Sequence, residues 1–325
     1  MRYCTIVDNL TGACIKGIPA LPFGGGLQLR LLRPGMLFVE SAWQGWLKTW
    51  KYKIAAYPDH PQRTNQALLR LLEQARKYHI PTVFWDKEGL VHFHRFIDSA
   101  RHFDHVFTVD ADTIPQYKAV MGEQASVHVL PFAVQPRFHF FDGFHFKYQT
   151  ACFAGSYSTH IHPRRRAWQE MLFQAALDSG LGLHVFDRNS NRRAKFYRYP
   201  AWQGMKVHPA VTNPRTARLY KDYLVSLNVN TNEGSPTMVS RRLVEILACG
   251  GLAVTTPAPS VDREFRDFCH VVRTREDCME LFERLKHGPA RDDLERARAG
   301  ADYIARHLTW EQNLQRVADI AGVRL

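Results

Sequence analysis

The chain has 325 residues, 45% of them apolar and 23% charged, which is the composition of a folded globular protein with room for two domains. No apolar run approaches the ~20 residues of a membrane-spanning helix, and the N-terminus lacks the apolar stretch of a secretory signal. The formal net charge of +12 favours anionic partners such as phosphorylated ligands, acidic glycans or lipid headgroups, although diffuse solvated charge is the alternative. Six cysteines without a C-x-x-C pair indicate reduced, mostly buried thiols in a cytoplasmic protein.

In the first half of the chain, apolar runs of strand length alternate with helical patterns, which is typical of a parallel sheet with crossover helices. The clearest helix places Leu68, Leu69, Leu72 and Ala75 on one face. Strands are expected at 3–7, 36–40, 81–85, 105–109 and 127–130, and helices at 62–79, 92–100 and 114–121. A segment rich in Phe and His, 135–149, is expected to be a linker.

The second half repeats this alternation and ends in helices. Strands are expected at 151–154, 183–186, 225–229 and 252–255, helices at 164–179, 213–220, 239–248 and 310–320, and an irregular basic stretch at 188–211. The pattern predicts an α/β protein with an N-terminal domain 1–145, a C-terminal domain 146–305 and a last helix, 306–325, that packs back on the first domain. Two such halves suggest a cleft between domains, with ligands at the carboxyl ends of the strands.

The most informative stretch is 228–257, NVNTNEGSPTMVSRRLVEILACGGLAVTTP, in which a strand, a polar loop, a helix and a second strand follow one another. Arg242 and Glu245 are three residues apart and therefore share a helix face. An arginine near a helix N-terminus can bind a diphosphate, and a glutamate can accept hydrogen bonds from ribose hydroxyls. These two residues, with Asn230 after the preceding strand and Ser240 at the helix start, predict a binding site for a nucleotide-sugar donor.

A second motif, Gly155-Ser156, follows an expected strand and precedes the basic helix start at 164–166. Glycine allows a backbone to approach a phosphate closely, and the arginines at 164–166 are the expected clamp. The alternative is an ordinary turn between a strand and a helix.

Two carboxylates and two imidazoles stand close together at 86–94, after an expected buried strand. A hydroxyl acceptor needs a base, and Glu88 is the first candidate, followed by His94, with Asp86 as a further catalytic candidate. The alternative is an acidic cluster at a helix start. Glu40 and Trp43 follow another strand and are expected on the acceptor side, unless Trp43 only packs.

Asp110 and Asp112 end a further apolar strand and could hold Mg²⁺ or Mn²⁺ through oxygen ligands. The interpretation favoured here is that Asp112 caps the next helix. The histidine spacings match no strong metal pattern. No metal ligand is therefore assigned from the sequence.

These motifs together resemble the CgeB-like glycosyltransferases of the family-1-type group. The similarity covers most of the chain and is carried by SRRLVEILACGGLAVTT, FAGS, FVESAW and FWDKEGLVHFHRF. It implies the GT-B fold, which has two Rossmann-like domains with parallel sheets facing across a cleft. It also implies Arg242 at the donor diphosphate, Glu245 at sugar or ribose hydroxyls, and Gly155, Ser156 and Arg166 along the phosphate. No metal or other cofactor is expected, because basic side chains and helix dipoles can carry the leaving group's charge.

One departure from related retaining enzymes concerns their two glutamates, which lie eight positions apart. Thr237 stands eight residues before Glu245, and the nearest upstream glutamate is Glu233. The sequence therefore leaves the stereochemistry open.

The resulting hypothesis is a cytoplasmic, metal-independent, hexosyltransferase-like enzyme that transfers a sugar to a glycan, lipid-linked glycan or protein and contacts an anionic inner membrane face peripherally. Its expected role is polysaccharide synthesis at the cell surface. The alternatives are a nucleotide-sugar epimerase of the same architecture and a non-catalytic nucleic-acid-binding protein. No RNA-binding motif is present and the basic residues lie in both halves, which argues against nucleic acid as a partner.

Overall fold

A computed structural model describes residues 2–324, which form two compact units. Unit 1 combines residues 2–132, the short segment Ser235–Met238 and residues 310–324. Unit 2 combines Ala133–Gly234 with Val239–Thr309. The chain therefore leaves and re-enters unit 1, and the first division lies at 132/133, whereas the sequence placed it at 145/146.

Unit 1 is built on a six-stranded parallel sheet with the strand order β2-β1-β3-β4-β5-β6. Its strands are β1 (Cys4–Ile6), β2 (Ile18–Pro19), β3 (Leu37–Glu40), β4 (Thr82–Asp86), β5 (His105–Thr108) and β6 (Ser126–Val129). Its helices are α1 (Asn9–Cys14), α2 (Gly25–Leu32), α3 (Gln66–Lys77), α4 (Phe93–Ala100), α5 (Ile114–Met121) and the last helix of the chain, α12 (Trp310–Ile320).

Unit 2 contains a second six-stranded parallel sheet, with the order β12-β11-β10-β7-β8-β9. Its strands are β7 (Tyr148–Gly155), β8 (Leu183–Asp187), β9 (Met205–Pro209), β10 (Tyr223–Asn228), β11 (Leu252–Thr255) and β12 (His270–Val271). Its helices are α6 (Pro163–Asp178), α7 (Asn213–Asp222), α8 (Arg241–Ala248), α9 (Pro259–Glu264), α10 (Arg275–Leu285) and α11 (Arg291–His307).

The two central strands of unit 2 create a crevice at their carboxyl ends. From β7 the chain moves outward to β8 and β9, and from the neighbouring β10 it moves the opposite way to β11 and β12. Because the order reverses between β7 and β10, the loops that follow them lead apart and leave space above the sheet. Ligands of open α/β sheets bind at such a reversal.

The apolar pattern of the sequence accounts for most of these elements. In α3 the buried residues are Leu68, Leu71, Leu72 and Ala75, so Leu71 takes the core position that the sequence assigned to Leu69. The expected helices 114–121 and 310–320 are found with the same bounds. The stretch expected to be irregular contains β9, a strand at the sheet edge that is half-exposed and lacks an apolar run.

Helix α12 belongs to unit 1 although it ends the chain. The Trp310 ring packs edge-on against Trp85 of β4, with ring centroids 5.0 Å apart, and both side chains are fully buried. Asn313 donates a hydrogen bond to the Pro131 carbonyl at 2.8 Å. All six cysteines are buried thiols. Across residues 2–324, no helix has both the length and the apolar character needed to cross a bilayer.

Candidate functional site

Arg242 lies at the reversal point of the unit 2 sheet. Its Nε donates to the Ala154 carbonyl at the end of β7 at 2.7 Å, and its Nη1 donates to Asn228 Oδ1 at the end of β10 at 3.3 Å. The guanidinium stacks on the Phe153 ring, 4.3 Å from its centroid. Burial lowers the pKa of Arg242 from its ordinary value, yet arginine stays charged. The structure therefore holds a positive charge where the crevice opens.

The start of α8 is held in place by a network of short polar side chains. The Ser240 side chain accepts from the Arg242 backbone N–H at 3.3 Å, and the Ser240 N–H donates to Asn230 Oδ1 at 3.0 Å. Asn230 is buried and donates to the Thr256 carbonyl at 3.0 Å. Asn230 and Ser240 thus orient the helix start, which favours an anion through its backbone N–H groups.

Gly155 is required because no side chain fits beside the arginine. A Cβ at this position would lie 2.7 Å from Arg242 Nη2 and 2.5 Å from the Phe153 ring. The Gly155 carbonyl accepts from the Arg188 N–H at 2.8 Å, so the turn is fixed on both sides.

We expect the new methyl group in Gly155→Ala to displace the Arg242 guanidinium from the Phe153 ring. If the guanidinium did not move, the steric overlap with the methyl group would lower the free energy of unfolding by about 1–3 kcal/mol. Thermal stabilisation by a nucleoside diphosphate should shrink, measured against each protein's own ligand-free midpoint. Gly12→Ala is the matched control, because its Cβ would meet only Val7 at an ordinary 3.6 Å. Equal ligand stabilisation in both variants would contradict the role assigned to Gly155.

Two more arginines join Arg242 to form a cluster of positive charge. Burial, together with the positive charges of Arg242 and Arg188, lowers the pKa of Arg165 to about 10. Arg165 donates to the Ser156 carbonyl at 3.4 Å, and its buried Nε has no hydrogen-bond partner among residues 2–324. None of the ion pairs formed within residues 2–324 includes these three arginines. A cluster of arginines without direct ion pairs suits an anion with several oxygens.

Arg166, the arginine chosen from the sequence, points elsewhere. Its Nη1 donates to the Thr159 carbonyl at 2.5 Å and its Nε lies 3.9 Å from Glu170. A small surface pocket is lined by both Arg165 and Arg166, together with Ser156. Helical spacing explains the difference, because adjacent residues on α6 point about 100° apart and only one of them can face the end of β7.

We expect Arg165→Ala to weaken binding of a nucleoside diphosphate by about tenfold or more, because one charge-assisted contact contributes about 1.5–3 kcal/mol. Arg166→Ala should weaken it less, since Thr159 and Glu170 already occupy that guanidinium. Titration calorimetry on the two variants measures the difference. A larger loss in Arg166→Ala would return the phosphate contact to Arg166.

Glu245 is buried one turn after Arg242, on α8. Its Oε1 accepts from Asn213 Nδ2 at 2.6 Å, and its Oε2 accepts from the Tyr220 hydroxyl at 3.4 Å. Burial and the charge of Glu245 raise the pKa of Tyr220 well above the ordinary value, so this hydroxyl stays a donor. A carboxylate has about four acceptor positions, which leaves capacity for a ligand hydroxyl.

Unit 1 contains a separate charged cluster at the carboxyl ends of β1, β3 and β4. Lys87 Nζ lies 2.9 Å from Asp8 Oδ2 and 2.8 Å from Glu40 Oε1. The Glu40 side chain is fully buried, and its Oε2 finds no hydrogen-bond partner in the part of the chain that the structure describes. Burial opposes the charge on Lys87, but Glu40 and Asp8 outweigh it and raise the pKa of the amine.

The expected base, Glu88, lies beside this cluster. Its Oε1 accepts from Trp43 Nε1 at 3.1 Å, and its Oε2 lies 3.8 Å from His92 Nε2. Burial raises the pKa of Glu88, against the positive charge of Lys87 and the hydrogen bond from Trp43. Trp43 packs edge-on against His92, while His94 is exposed on the first turn of α4. The structure thus brings Glu88 together with Trp43 and His92, and leaves His94 outside this contact.

Two other acidic residues, Asp86 and Asp110, have hydrogen-bond partners within unit 1. Asp86 is fully buried, accepts from the Tyr117 hydroxyl at 2.9 Å, and has its pKa raised to about 7 by burial. Asp110 accepts from the Asp112 N–H at 3.2 Å and from the Ser235 hydroxyl at 2.6 Å. Asp110 is therefore the capping residue, and the assignment of the cap to Asp112 was wrong. The helical turn already begins at Ala111, so Asp112 lies inside it and the preceding Asp110 caps it.

Sequence reasoning missed Arg188, Asp8 and Lys87, and within the basic helix start at 164–166 it chose Arg166 where the structure favours Arg165. Asp8 directly follows a short apolar strand, and that position was the available signal for it. The roles of Lys87 and Arg188 depend on strands that lie side by side in the sheets but far apart in the chain.

Comparisons with known proteins identify the fold of the chain. Residues 164–319 match the model of a family described as glycosyl transferase-like. No curated protein sequence matches the chain. The solved structures that resemble it have the GT-B fold, and the chain has its two Rossmann-like α/β domains with parallel sheets.

Three solved structures illustrate the similarity. An α-glucosyltransferase in complex with UDP-glucose and abasic-site DNA is 12% identical with a TM-score of 0.63, covering 98% of this chain and 90% of that one. HepE from Anabaena in complex with UDP-glucose is 10% identical with a TM-score of 0.57, covering 94% and 85%. TarM from S. aureus is 10% identical with a TM-score of 0.54, and 91% of this chain spans only 57% of TarM's length.

Proposed function

We propose that the chain is a glycosyltransferase that uses a nucleotide-sugar donor, bound at the reversal point of the unit 2 sheet. The observation that carries this proposal is the Arg242 guanidinium, which hydrogen-bonds the ends of both central strands, lies beside Arg165 and forms no salt bridge with a carboxylate of residues 2–324. A diphosphate would bring negative charge to these two arginines. Glu245, one turn along α8, is the partner for ribose or sugar hydroxyls. The glycosyl transferase-like family match covers this region.

In the proposed reaction, an acceptor hydroxyl oxygen forms a bond to the anomeric carbon of the donor sugar. The bond from that carbon to the diphosphate oxygen breaks, and the nucleoside diphosphate leaves with the electron pair. Glu88, or His94 as the second candidate, takes the hydroxyl proton. Arg242, Arg165 and the α8 N-terminus stabilise the charge on the leaving oxygens, so the proposed chemistry needs no metal.

The direct test is thermal stabilisation of the purified protein by a panel of nucleoside diphosphates and nucleotide sugars. UDP and UDP-glucose come first, because HepE was solved with each of them. A ligand at a hundredfold excess over its dissociation constant stabilises by about 2.7 kcal/mol. A selective shift that survives EDTA supports the donor site and metal independence. No shift with any nucleotide would contradict the proposal.

The same protein and donor distinguish a transferase from an epimerase. An epimerase would convert the donor sugar with no acceptor present, whereas a transferase releases nucleoside diphosphate in step with a glycosylated product. The proposed acceptors are a cell-surface polysaccharide, a lipid-linked glycan or a protein, modified in the cytoplasm.

We expect Glu88→Gln to lower turnover by about 10²–10⁴-fold while donor binding survives, because the amide cannot accept the hydroxyl proton. Burial raises the pKa of Glu88, so kcat should begin to fall with decreasing pH at a value above the ordinary glutamate pKa of about 4.3. Glu88→Gln should abolish this acid-side decrease of kcat. The pH profile of kcat measures both effects. Glu123→Gln, at an exposed glutamate of unit 1, is the control. Unchanged turnover in Glu88→Gln would remove Glu88 as the base.

A further inference from the structure

The outward face of α2 is apolar, which is the reverse of the usual arrangement in a surface helix. Phe23 just before the helix, Leu27 and Leu31 are 79%, 58% and 72% exposed. They are spaced four residues apart and therefore form one stripe along the helix. Surface helices of water-soluble domains normally place charged residues on this face. Leu21, immediately upstream, is also exposed.

The opposite face of α2 is tightly packed, so the apolar stripe is held outward. A Cβ on Gly25 would lie 2.9 Å from Leu71, and one on Gly26 would lie 2.8 Å from Gln74, both on α3. Leu29 is fully buried. These contacts leave the helix no freedom to roll its leucines into the core.

A second exposed apolar tip is tied to the same region. Trp46 and Leu47 are exposed at the turn that follows β3. Trp50 of the same turn is buried and donates from Nε1 to the Ala20 carbonyl at 2.7 Å, one residue before Leu21. Five side chains, Phe23, Leu27, Leu31, Trp46 and Leu47, are together called the apolar ridge below.

In the segment that carries the ridge, the exposed charged residues are all basic. Between residues 9 and 58 the sequence has six basic residues and a single acidic one. That acidic residue is Glu40, which is fully buried and paired with Lys87. Five of the basic residues are exposed, namely Lys16, Arg30, Arg33, Lys48 and Lys51. A second copy of this chain is a poor partner, because a two-fold contact would bring these like charges together.

We propose that the apolar ridge and the basic residues around it form a surface that binds an anionic lipid membrane. Exposed leucine, phenylalanine and tryptophan side chains enter the boundary between headgroups and acyl chains, and arginine and lysine contact acidic headgroups. The proposal goes beyond the proposed transferase activity and does not depend on it, since the surface lies wholly within unit 1.

Co-sedimentation with phosphatidylcholine vesicles, with and without phosphatidylglycerol, tests the proposal on the full chain. The protein should bind vesicles that contain phosphatidylglycerol, and binding should weaken as salt screens the charges. F23S/L27S should lower the partition coefficient by about tenfold or more. R30Q/K48Q should lower it by about fivefold per removed charge. All four positions are exposed, so folding should survive, and circular dichroism checks this.

Matched control variants distinguish membrane binding by the apolar ridge from non-specific binding by any exposed apolar or basic residue. Val120→Ser and Val207→Ser change half-exposed apolar residues elsewhere, and R298Q/R316Q removes the same charge from exposed sites on α11 and α12. These variants should bind vesicles as the parent protein does. Absence of binding to phosphatidylglycerol, or equal losses in ridge and control variants, would overturn the proposal. A ridge-dependent dimer without vesicle binding would also overturn it. Nucleotide stabilisation should be the same in every variant, so failure here leaves the donor site unaffected.

Discussion

Arg242→Ala should lose nearly all nucleotide binding. The side chain places a guanidinium at the ends of β7 and β10, and a diphosphate would form at least two charge-assisted hydrogen bonds with it. Their loss amounts to about 3 kcal/mol or more, roughly a hundredfold in dissociation constant. Arg242→Lys should recover only part of the nucleotide affinity. An ammonium group cannot form a bidentate contact with two phosphate oxygens, and it stacks less well on the Phe153 ring than a guanidinium does.

Calorimetric titration with the nucleotide selected by thermal shift gives the affinities. Arg298→Ala, at an exposed arginine of the same unit, controls for loss of general positive charge. Each variant's own ligand-free midpoint is the reference, since Arg242→Ala also leaves the Ala154 carbonyl without its donor. Retention of both affinity and activity in Arg242→Ala would remove the donor site from this position.

Lys87→Met should cause a large loss of stability in unit 1. The amine is 14% exposed and bridges Asp8 and the fully buried Glu40, so its removal leaves two carboxylates close together without a counter-charge. Breaking a buried ion pair from one side costs about 3–5 kcal/mol. Chemical denaturation followed by tryptophan fluorescence measures it, with Lys77→Met on the exposed side of α3 as the control. A loss equal to that of the control would show that the cluster does not stabilise the fold.

The same cluster should give the folded protein a defined pH range of stability. Lys87 lowers the pKa of Asp8 against the effect of burial, so this contribution is present above the unfolded value of about 3.9 and disappears as pH falls through the folded value. The pKa of Lys87 is raised, so its contribution is complete below about 10.4 and disappears as pH rises through the folded value. Lys87→Met should flatten the stability profile at both ends.

The sequence predicted the architecture well because its strands are buried on both faces. Runs such as Leu37–Glu40 and Leu252–Thr255 consist mostly of apolar residues, and continuous apolar runs separated by helices indicate parallel sheets. Short elements and edge strands were not predicted, among them β2, β9 and α2. Helix α2 has three glycines at its start and apolar residues on its exposed face, so its pattern indicated no buried side.

The candidate site was predictable where its residues share one helix. Arg242 and Glu245 are three residues apart on α8, and periodicity alone placed them together. Arg165 differs from the predicted Arg166 by one position, a distinction that depends on how α6 is rotated over the sheet. The contact between Lys87 and Asp8 joins residues 79 positions apart, and only the strand order brings them together.

The contact between Trp85 and Trp310 has a consequence for how the protein is made. Trp85 is covered by a helix that leaves the ribosome only after all of unit 2 has been synthesised. Until then Trp85 keeps its contacts with Phe38 and Phe132 but lacks the cover of Trp310, and the Pro131 carbonyl lacks the Asn313 donor. Unit 1 therefore reaches its final packing last, although most of its residues are translated first. A fragment that ends at residue 132 would leave this apolar surface uncovered and promote aggregation.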